Sequence, residues 1–303
     1  MTATAATRAA PGAAPPLRLP WLDRAGRLSP LKLAVFAALF VPGLWVAAKL
    51  GLGMMGAKPV TAAIHETGDW AVRFLVASLA ITPLRRIANW PQLILVRRMV
   101  GLAALAYAVI HLGLYVVDQG FDLARVATEI ALRFYLTIGF ACLLGLAVLG
   151  ATSTDAMIRR MGAAWNRLHK VVYALVALAL VHYFLQTKLE VSSPVLWSGY
   201  LFLFLGHRLM QRAGWPTNPA TLAGLAVAAA LACALLEATW YKLATGARVT
   251  FLDVLAQNLD FSYEVRPPWF VLGVGLALAL VNLVRGKKPA RGPAPARPAA
   301  TRA

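Results

Sequence analysis

The chain has 303 residues, of which 60% are hydrophobic and only 14% charged. A soluble domain of this length needs far more charge to cover its surface, so the composition excludes an ordinary soluble enzyme and points to lipid. The formal net charge of +18 would suggest nucleic acid in a soluble protein, but its distribution along the chain argues against that reading.

In chain order, residues 1–30 are rich in Ala, Pro and Arg and read as a disordered tail without a cleavage-like signal site. Beyond them the apolar residues fall in blocks of roughly 17 to 23, the length a helix needs to cross about 30 Å of hydrocarbon. The expected fold is an all-α polytopic membrane protein, because backbone groups in lipid must be satisfied within the segment. Eight transmembrane helices are expected, at about 31–50, 69–86, 97–117, 133–151, 168–186, 194–210, 219–241 and 267–284. Arg73 interrupts the first turn of the second, and His207 with Arg208 shortens the sixth. Residues 286–303 form a basic Pro/Ala tail. Four regions follow: the tail 1–30, a six-helix core 31–212, two further helices in 213–285, and the tail 286–303.

If the N-terminus is cytoplasmic and loops alternate sides, the cytoplasmic segments hold 21 of the 30 Lys+Arg and, of the 12 acids, only Asp23 and Asp155. The other side, termed outer below, receives the remaining 9 basic and 10 acidic residues. Eight spans with both ends inside therefore satisfy the positive-inside rule. No internal repeat and no Gly-rich phosphate loop is apparent. No segment outside the membrane exceeds about thirty residues, so any chemistry must be shared with another protein. Cys142 and Cys233 lie within spans and read as small packing residues.

The five histidines carry the functional signal. An ionisable residue inside a span marks function by default, and neutral imidazole is a usual axial ligand for haem iron. His111 lies about six residues short of the outer end of the third span, and His182 about five short of the outer end of the fifth. At 1.5 Å per residue both sit roughly 7 to 9 Å below the outer boundary. Matching depth on two spans suits a six-coordinate b haem held by His111 and His182; an interhelical hydrogen bond from a packed His is the alternative. His169, 13 residues before His182, lies near the inner surface and is a candidate for a second haem. Two observations weigh against a symmetrical inner site. On one ideal helix His169 and His182 would point roughly 140° apart, and the inner end of the third span offers Arg97, Arg98 and Met99 instead of a His. His65 is expected in the first outer loop, where Thr67 or Asp69 would cap the second span. His207 is expected to begin an inner loop, and Glu237 to snorkel from the outer end of the seventh span. Arg73, Arg125 and Arg133 are the basic side chains placed to pair with haem propionates.

With these residues placed, the sequence resembles the MsrQ family, within the larger ferric-reductase-like transmembrane group. The resemblance rests on Pro59-Val60 through His65-Glu66-Thr67-Gly68, on Leu79-Ala80-Ile81-Thr82-Pro83-Leu84, and on Arg97-Arg98-Met99-Val100-Gly101-Leu102. It continues through His111-Leu112 to Tyr115, Arg133-Phe134-Tyr135-Leu136-Thr137, Thr152-Ser153, Trp165-Asn166-Arg167-Leu168-His169-Lys170-Val171-Val172-Tyr173 and His182-Tyr183. It implies a six-helix ferric-reductase-like bundle in a bacterial inner membrane, with haem b linked to His111, His169 and His182, and often FMN. It also implies a periplasmic partner, an MsrP-like molybdenum-cofactor reductase that repairs methionine sulfoxide, with electrons drawn from the quinone pool. The region 218–284 exceeds the family's shorter members. The expected role is an electron-transfer subunit fed by quinol or a reduced flavin. The rivals are a cytochrome serving another acceptor such as ferric iron, and a transporter or scaffold whose histidines only conduct protons or pack.

Overall fold

The computed structural model describes residues 19–23, 25–246 and 248–285. The expected terminal tails fall largely outside these residues; the part of the first that is described is folded. Ahead of the first helix, Leu22 and Leu28 form a bridge. Trp21 packs on Phe36 there, with ring centroids 5.2 Å apart, and Lys32 donates to the Leu22 carbonyl.

The twelve α-helices among the described residues are α1 (Pro30–Gly51), α2 (Pro59–Ile87), α3 (Arg97–Asp118), α4 (Leu123–Leu132), α5 (Phe134–Ala151), α6 (Asp155–Met161), α7 (Ala163–His169), α8 (Val172–Thr187), α9 (Ser192–Arg212), α10 (Pro219–Ala244), α11 (Phe251–Gln257) and α12 (Pro267–Arg285), with a 3₁₀ turn over Pro91–Val96. Proline opens α1, α2, α10 and α12, where its missing N–H leaves no helical bond unmade. Six segments are long and apolar enough to cross a membrane: α1, α3 with the preceding turn, α5, α7 with α8, α10 and α12. The other two long helices, α2 and α9, are more polar. Both lie at the centre of the bundle, α2 against α3, α1, α8 and α9, and α9 against α10, α12 and α2. Their polar side chains therefore face protein, where neighbouring helices can satisfy them.

Two polar insertions shape the bundle. Pro83 cannot donate to the Leu79 carbonyl one turn earlier in α2. Arg208 of α9 fills that gap, its Nη2 donating to Leu79 O at 2.9 Å while its Nη1 donates to the Tyr173 hydroxyl at 2.5 Å. Tyr107 of α3 inserts its hydroxyl into the ladder of α1, donating to Leu39 O at 2.9 Å and accepting from Gly43 N at 2.6 Å. Gly43 is required there, since a Cβ would stand 2.9 Å from that hydroxyl.

A single buried cluster runs from Val72 in α2 through Leu146, Val176 and Leu203 to Cys233 and Val271. The C-terminal pair α10 and α12 thus shares the core of the preceding helices. Glu237 does not snorkel as expected. It is fully buried and paired with Arg266 at 3.2 Å, because the segment between α11 and α12 folds back over the end of α10. Both cysteines are buried and unpaired with each other, donating to Leu175 O and Val195 O.

The structure corrects three further expectations. Helix α2 begins ten residues earlier than hydropathy indicates, so His65 is helical rather than in a loop. Thr67 is no cap; its hydroxyl donates back to Ala63 O and Ile64 O inside the helix. His207 lies inside α9 and is only 2% exposed, rather than opening a loop. Finally, α7 and α8 do not form one straight helix. Tight three-residue bonds at Lys170, Val171 and Tyr173 separate them, so an ideal-helix angle between His169 and His182 does not apply.

Candidate functional site

His111 on α3 and His182 on α8 come together near the outer end of the bundle, with ring centroids 6.3 Å apart and planes at 86°. Each ring is held by the same device. Nδ1 of His111 lies 2.8 Å from the Ile64 carbonyl of α2, and Nδ1 of His182 lies 2.7 Å from the Tyr135 carbonyl of α5. A carbonyl can only accept, so Nδ1 carries the proton in both rings and Nε2 keeps its lone pair. That tautomer is the one in which Nε2 can ligate a metal, and the carbonyl bond fixes the ring's direction.

A glycine four residues after each acceptor makes room for the ring. A Cβ on Gly68 would meet His111 Nδ1 at 2.9 Å, and one on Gly139 would meet His182 Nδ1 at 2.8 Å. Each histidine lies 47 residues beyond its acceptor. From 64 to 135, 68 to 139 and 111 to 182 the step is 71 residues each time. The pocket is therefore a geometric repeat of two helical hairpins, α2–α3 and α5–α8, although no repeat is apparent in the sequence. Ile64, Tyr135 and the two glycines were not among the expected site residues. Their only sequence signal is the shared four-residue spacing at a fixed distance before each histidine.

The spacing of the rings suits one metal ion. Metal–imidazole nitrogen bonds of about 2.0–2.1 Å each, with about 1.2 Å from each nitrogen to its ring centre, put opposed ring centroids about 6.4 Å apart. Among the described residues no group of three or more His, Cys, Asp or Glu is arranged to hold a metal ion. The pair offers two donors, so any metal bound there needs its other ligands from elsewhere.

The remaining candidates lie apart from the pair. His169 ends α7 towards the inner face; its ring stacks on Trp165 at 3.9 Å and its Nε2 bonds the Thr152 hydroxyl at 3.0 Å. Arg73 lies over the Trp70 and Trp197 rings at 4.6 and 5.8 Å and reaches Asp69 at 3.4 Å. Arg133, at the start of α5, pairs with Glu129 and donates to the Tyr135 hydroxyl at 3.2 Å, so it sits on the residue that anchors His182. Arg125 caps into Asp122 through its backbone N–H. His65 and His207 are not brought to the pair by any hydrogen bond or ring contact among the described residues.

Residues 67–181 match the family described as ferric reductase like transmembrane component, a class that an all-helical membrane bundle with a histidine pair fits. Closer relatives narrow this. A Rhodospirillum rubrum protein is 41% identical over 190 residues, covering 62% of this chain and 89% of the relative. Relatives from Xanthomonas campestris pv. campestris strain 8004 (39% over 188 residues, 60% of this chain and 86% of the relative) and Caulobacter vibrioides (40% over 173 residues, 56% and 82%) agree with it. All three carry the name protein-methionine-sulfoxide reductase heme-binding subunit MsrQ. The chain belongs to the MsrQ family. No solved structure matches it.

Proposed function

We propose that this protein is the haem-carrying electron-transfer subunit of a methionine sulfoxide reductase system, with b haem held between His111 and His182. The observation that carries this reading is the histidine pair, two rings 6.3 Å apart with both Nδ1 atoms committed to carbonyls. Two imidazole donors at this spacing suit a metal whose remaining ligands would come from a macrocycle. Bound haem would supply reversible one-electron exchange; the chain's own residues bind and orient it. The carbonyls of Ile64 and Tyr135 raise the basicity of the two rings and lock their direction, and Gly68 and Gly139 admit the rings between the helices. Of the candidate propionate partners, Arg133 is already bonded to Glu129 and to the Tyr135 hydroxyl, so its part is to set the charge beside His182 and not to hold the haem.

The eight-span topology, with both ends cytoplasmic, adds α2 and α9 to the six apolar spans and puts the histidine pair at the periplasmic side of a bacterial inner membrane. Electrons would come from the quinone pool or a reduced flavin and leave for a separate periplasmic MsrP-like reductase. The chain is then no enzyme by itself. His169, at the inner end of α7, is the candidate for a second haem or for electron entry. A place for FMN rests on family membership alone.

The test is the absorption spectrum of purified protein. His111→Ala and His182→Ala are each expected to lose the bound haem or its six-coordinate reduced spectrum. Full haem content with an unchanged reduced spectrum in either variant would falsify the ligand assignment. For His169→Ala, a fall in the haem-to-protein ratio from two to one supports a second site, and an unchanged ratio of one removes it.

A further inference from the structure

The C-terminal pair α10 and α12 completes an open cleft of about 570 Å³, lined by both polar and apolar groups, that no part of the proposed electron path uses. Its walls come from the ends of four helices. Arg86 and Asn89 lie at the end of α2, Gln211 at the end of α9, Thr217 and Asn218 at the entry to α10, and Asn282 with Leu283 in the last turns of α12. The volume falls within the range of small-ligand sites. Arg86 is the charged residue of the lining, and neither Asp nor Glu is part of it.

The polar groups of the wall are tied to one another, with Arg86 and Asn89 exposed and Asn282 buried. Arg86 Nη1 donates to Gln211 Oε1 at 2.8 Å, which fixes the guanidinium, and Gln211 in turn donates to the Thr217 hydroxyl. Asn282, only 8% exposed, donates from Nδ2 to the Ile87 carbonyl at 3.2 Å and so ties α12 to the end of α2. The Asn218 Oδ1 caps α10 at Thr221 N, so the positive end of a 26-residue helix opens on the same wall. Arg85, Arg212 and Arg285 stand in the last turns of α2, α9 and α12 and add positive potential at this level. Leu283, 47% exposed, gives the lining an apolar edge on α12. A guanidinium with neutral amide and hydroxyl donors at the basic end of a helical bundle has the chemistry of a phosphate site. Basic pockets between helices on the cytoplasmic side take anionic lipid head groups.

We infer that this cleft binds a phosphate-bearing anion at the inner membrane surface, held by Arg86 with Asn89, Thr217 and Asn218 around it. The phosphodiester of an anionic phospholipid and a soluble phosphate share this chemistry. The inference takes its inner-face location from the topology proposed above, but it does not depend on haem.

The experiment uses the full chain in nanodiscs of mixed phosphatidylglycerol and phosphatidylcholine, with lipid retained after release counted by native mass spectrometry. Wild type is expected to keep phosphatidylglycerol over phosphatidylcholine. Arg86→Gln should lower that retention about tenfold, the loss of one charge-assisted hydrogen bond. Asn89→Asp should lower it as well, by placing a carboxylate on the lining. Asn89 sits at φ 48, a backbone conformation that Asp also accepts, so this variant keeps the test open if Arg86→Gln fails to fold. Arg212→Gln, at the same level but outside the lining, should retain lipid as wild type does. Inorganic phosphate in the millimolar range separates the sources: displacement of the lipid supports a soluble phosphate ligand, and failure to displace it supports the lipid itself. Equal retention of the two lipids by wild type, or equal loss in Arg212→Gln and Arg86→Gln, would overturn the inference. The Soret band serves as the fold control and reports separately on the histidine pair.

Discussion

The hairpins α2–α3 and α5–α8 hold their histidines in the same way but are braced differently. In the first, the accepting carbonyl of Ile64 lies inside a long central helix; it also accepts from Thr67 Oγ1 at 3.0 Å, and Ile64 itself is buried. In the second, the accepting carbonyl of Tyr135 belongs to the second residue of α5, and its near neighbours Arg133 and Phe134 are exposed. The position of Thr67 is taken by Ile138, which has no hydroxyl to offer. The first hairpin is also pinned to α1 by Tyr107, whereas the residue 71 further on is Leu178, which is 37% exposed. One ring therefore hangs from a rigid helix interior and the other from a helix end, where backbone bonds fray more readily. Towards the inner face the likeness ends: His169 stands one step of 71 after Arg98, which pairs with Asp155.

The strongest way to break the comparison is to remove each ring in turn. If the two hairpins share one metal, His111→Ala and His182→Ala should each lower haem retention by more than about tenfold, the scale of a lost metal ligand and its second-shell support. Loss in one variant alone, read from the haem-to-protein ratio, would mean that the pair does not act as a unit.

A subtler change tests the glycines. Gly68→Ala and Gly139→Ala leave both ligands in place but set a methyl group under 3.0 Å from each ring. The ring or the helix must then move, and either disturbs the spacing of the two rings. Both variants should lose part of the six-coordinate spectrum. Gly68→Ala is expected to lose more, because buried α2 can shift less than lipid-facing α5. The reverse order would show that the bracing described above does not control the rings.

These hairpins also mark where the sequence was informative. The matched depth of His111 and His182 was legible, because hydropathy sets where a span starts and 1.5 Å per residue does the rest. Their pairing was expected from that depth, but the room for it was not legible, since it depends on Gly68 and Gly139, and a glycine in an apolar run carries no sign of what lies against it. The start of α2 was hidden because His65, Glu66 and Asp69 resemble a loop in hydropathy. In the bundle Glu66 pairs with Lys49 of α1, which lets this polar stretch be helical. Glu237 was misread for a related reason: its partner Arg266 stands 29 residues away, in a segment with no periodic pattern. The break between α7 and α8 left no Gly or Pro in the sequence to announce it.

The pin on the first hairpin makes a smaller prediction. Tyr107→Phe removes a hydroxyl that satisfies both Leu39 O and Gly43 N. Those two groups are helical i, i+4 partners that can close on each other without it, so the loss is the hydrogen bond from α3 to α1, about 0.5–1.5 kcal/mol. Thermal unfolding in detergent should show a lowered midpoint with the haem spectrum retained. Leu178→Ala, at the matching position of the second hairpin, should lower the midpoint less, because its partly exposed side chain makes no hydrogen bond to a neighbouring helix. An equal drop would erase the difference in bracing.

The smallest effect is expected at Arg133, where the second hairpin meets solvent. Its guanidinium is bonded to Glu129 and to the Tyr135 hydroxyl, and its side chain is 52% exposed. Arg133→Gln removes a positive charge beside the residue that anchors His182 without touching the anchoring carbonyl. Haem content should stay unchanged. The midpoint potential should fall slightly, because a nearby cation favours the state with one more electron. That fall should shrink as salt rises, since the screening length is roughly 10 Å at 0.1 M and shorter above it. A large loss of haem in Arg133→Gln would instead place this side chain among the groups that bind it. The fraying end of α5 would then be held shut by Arg133, as Thr67 braces the other hairpin.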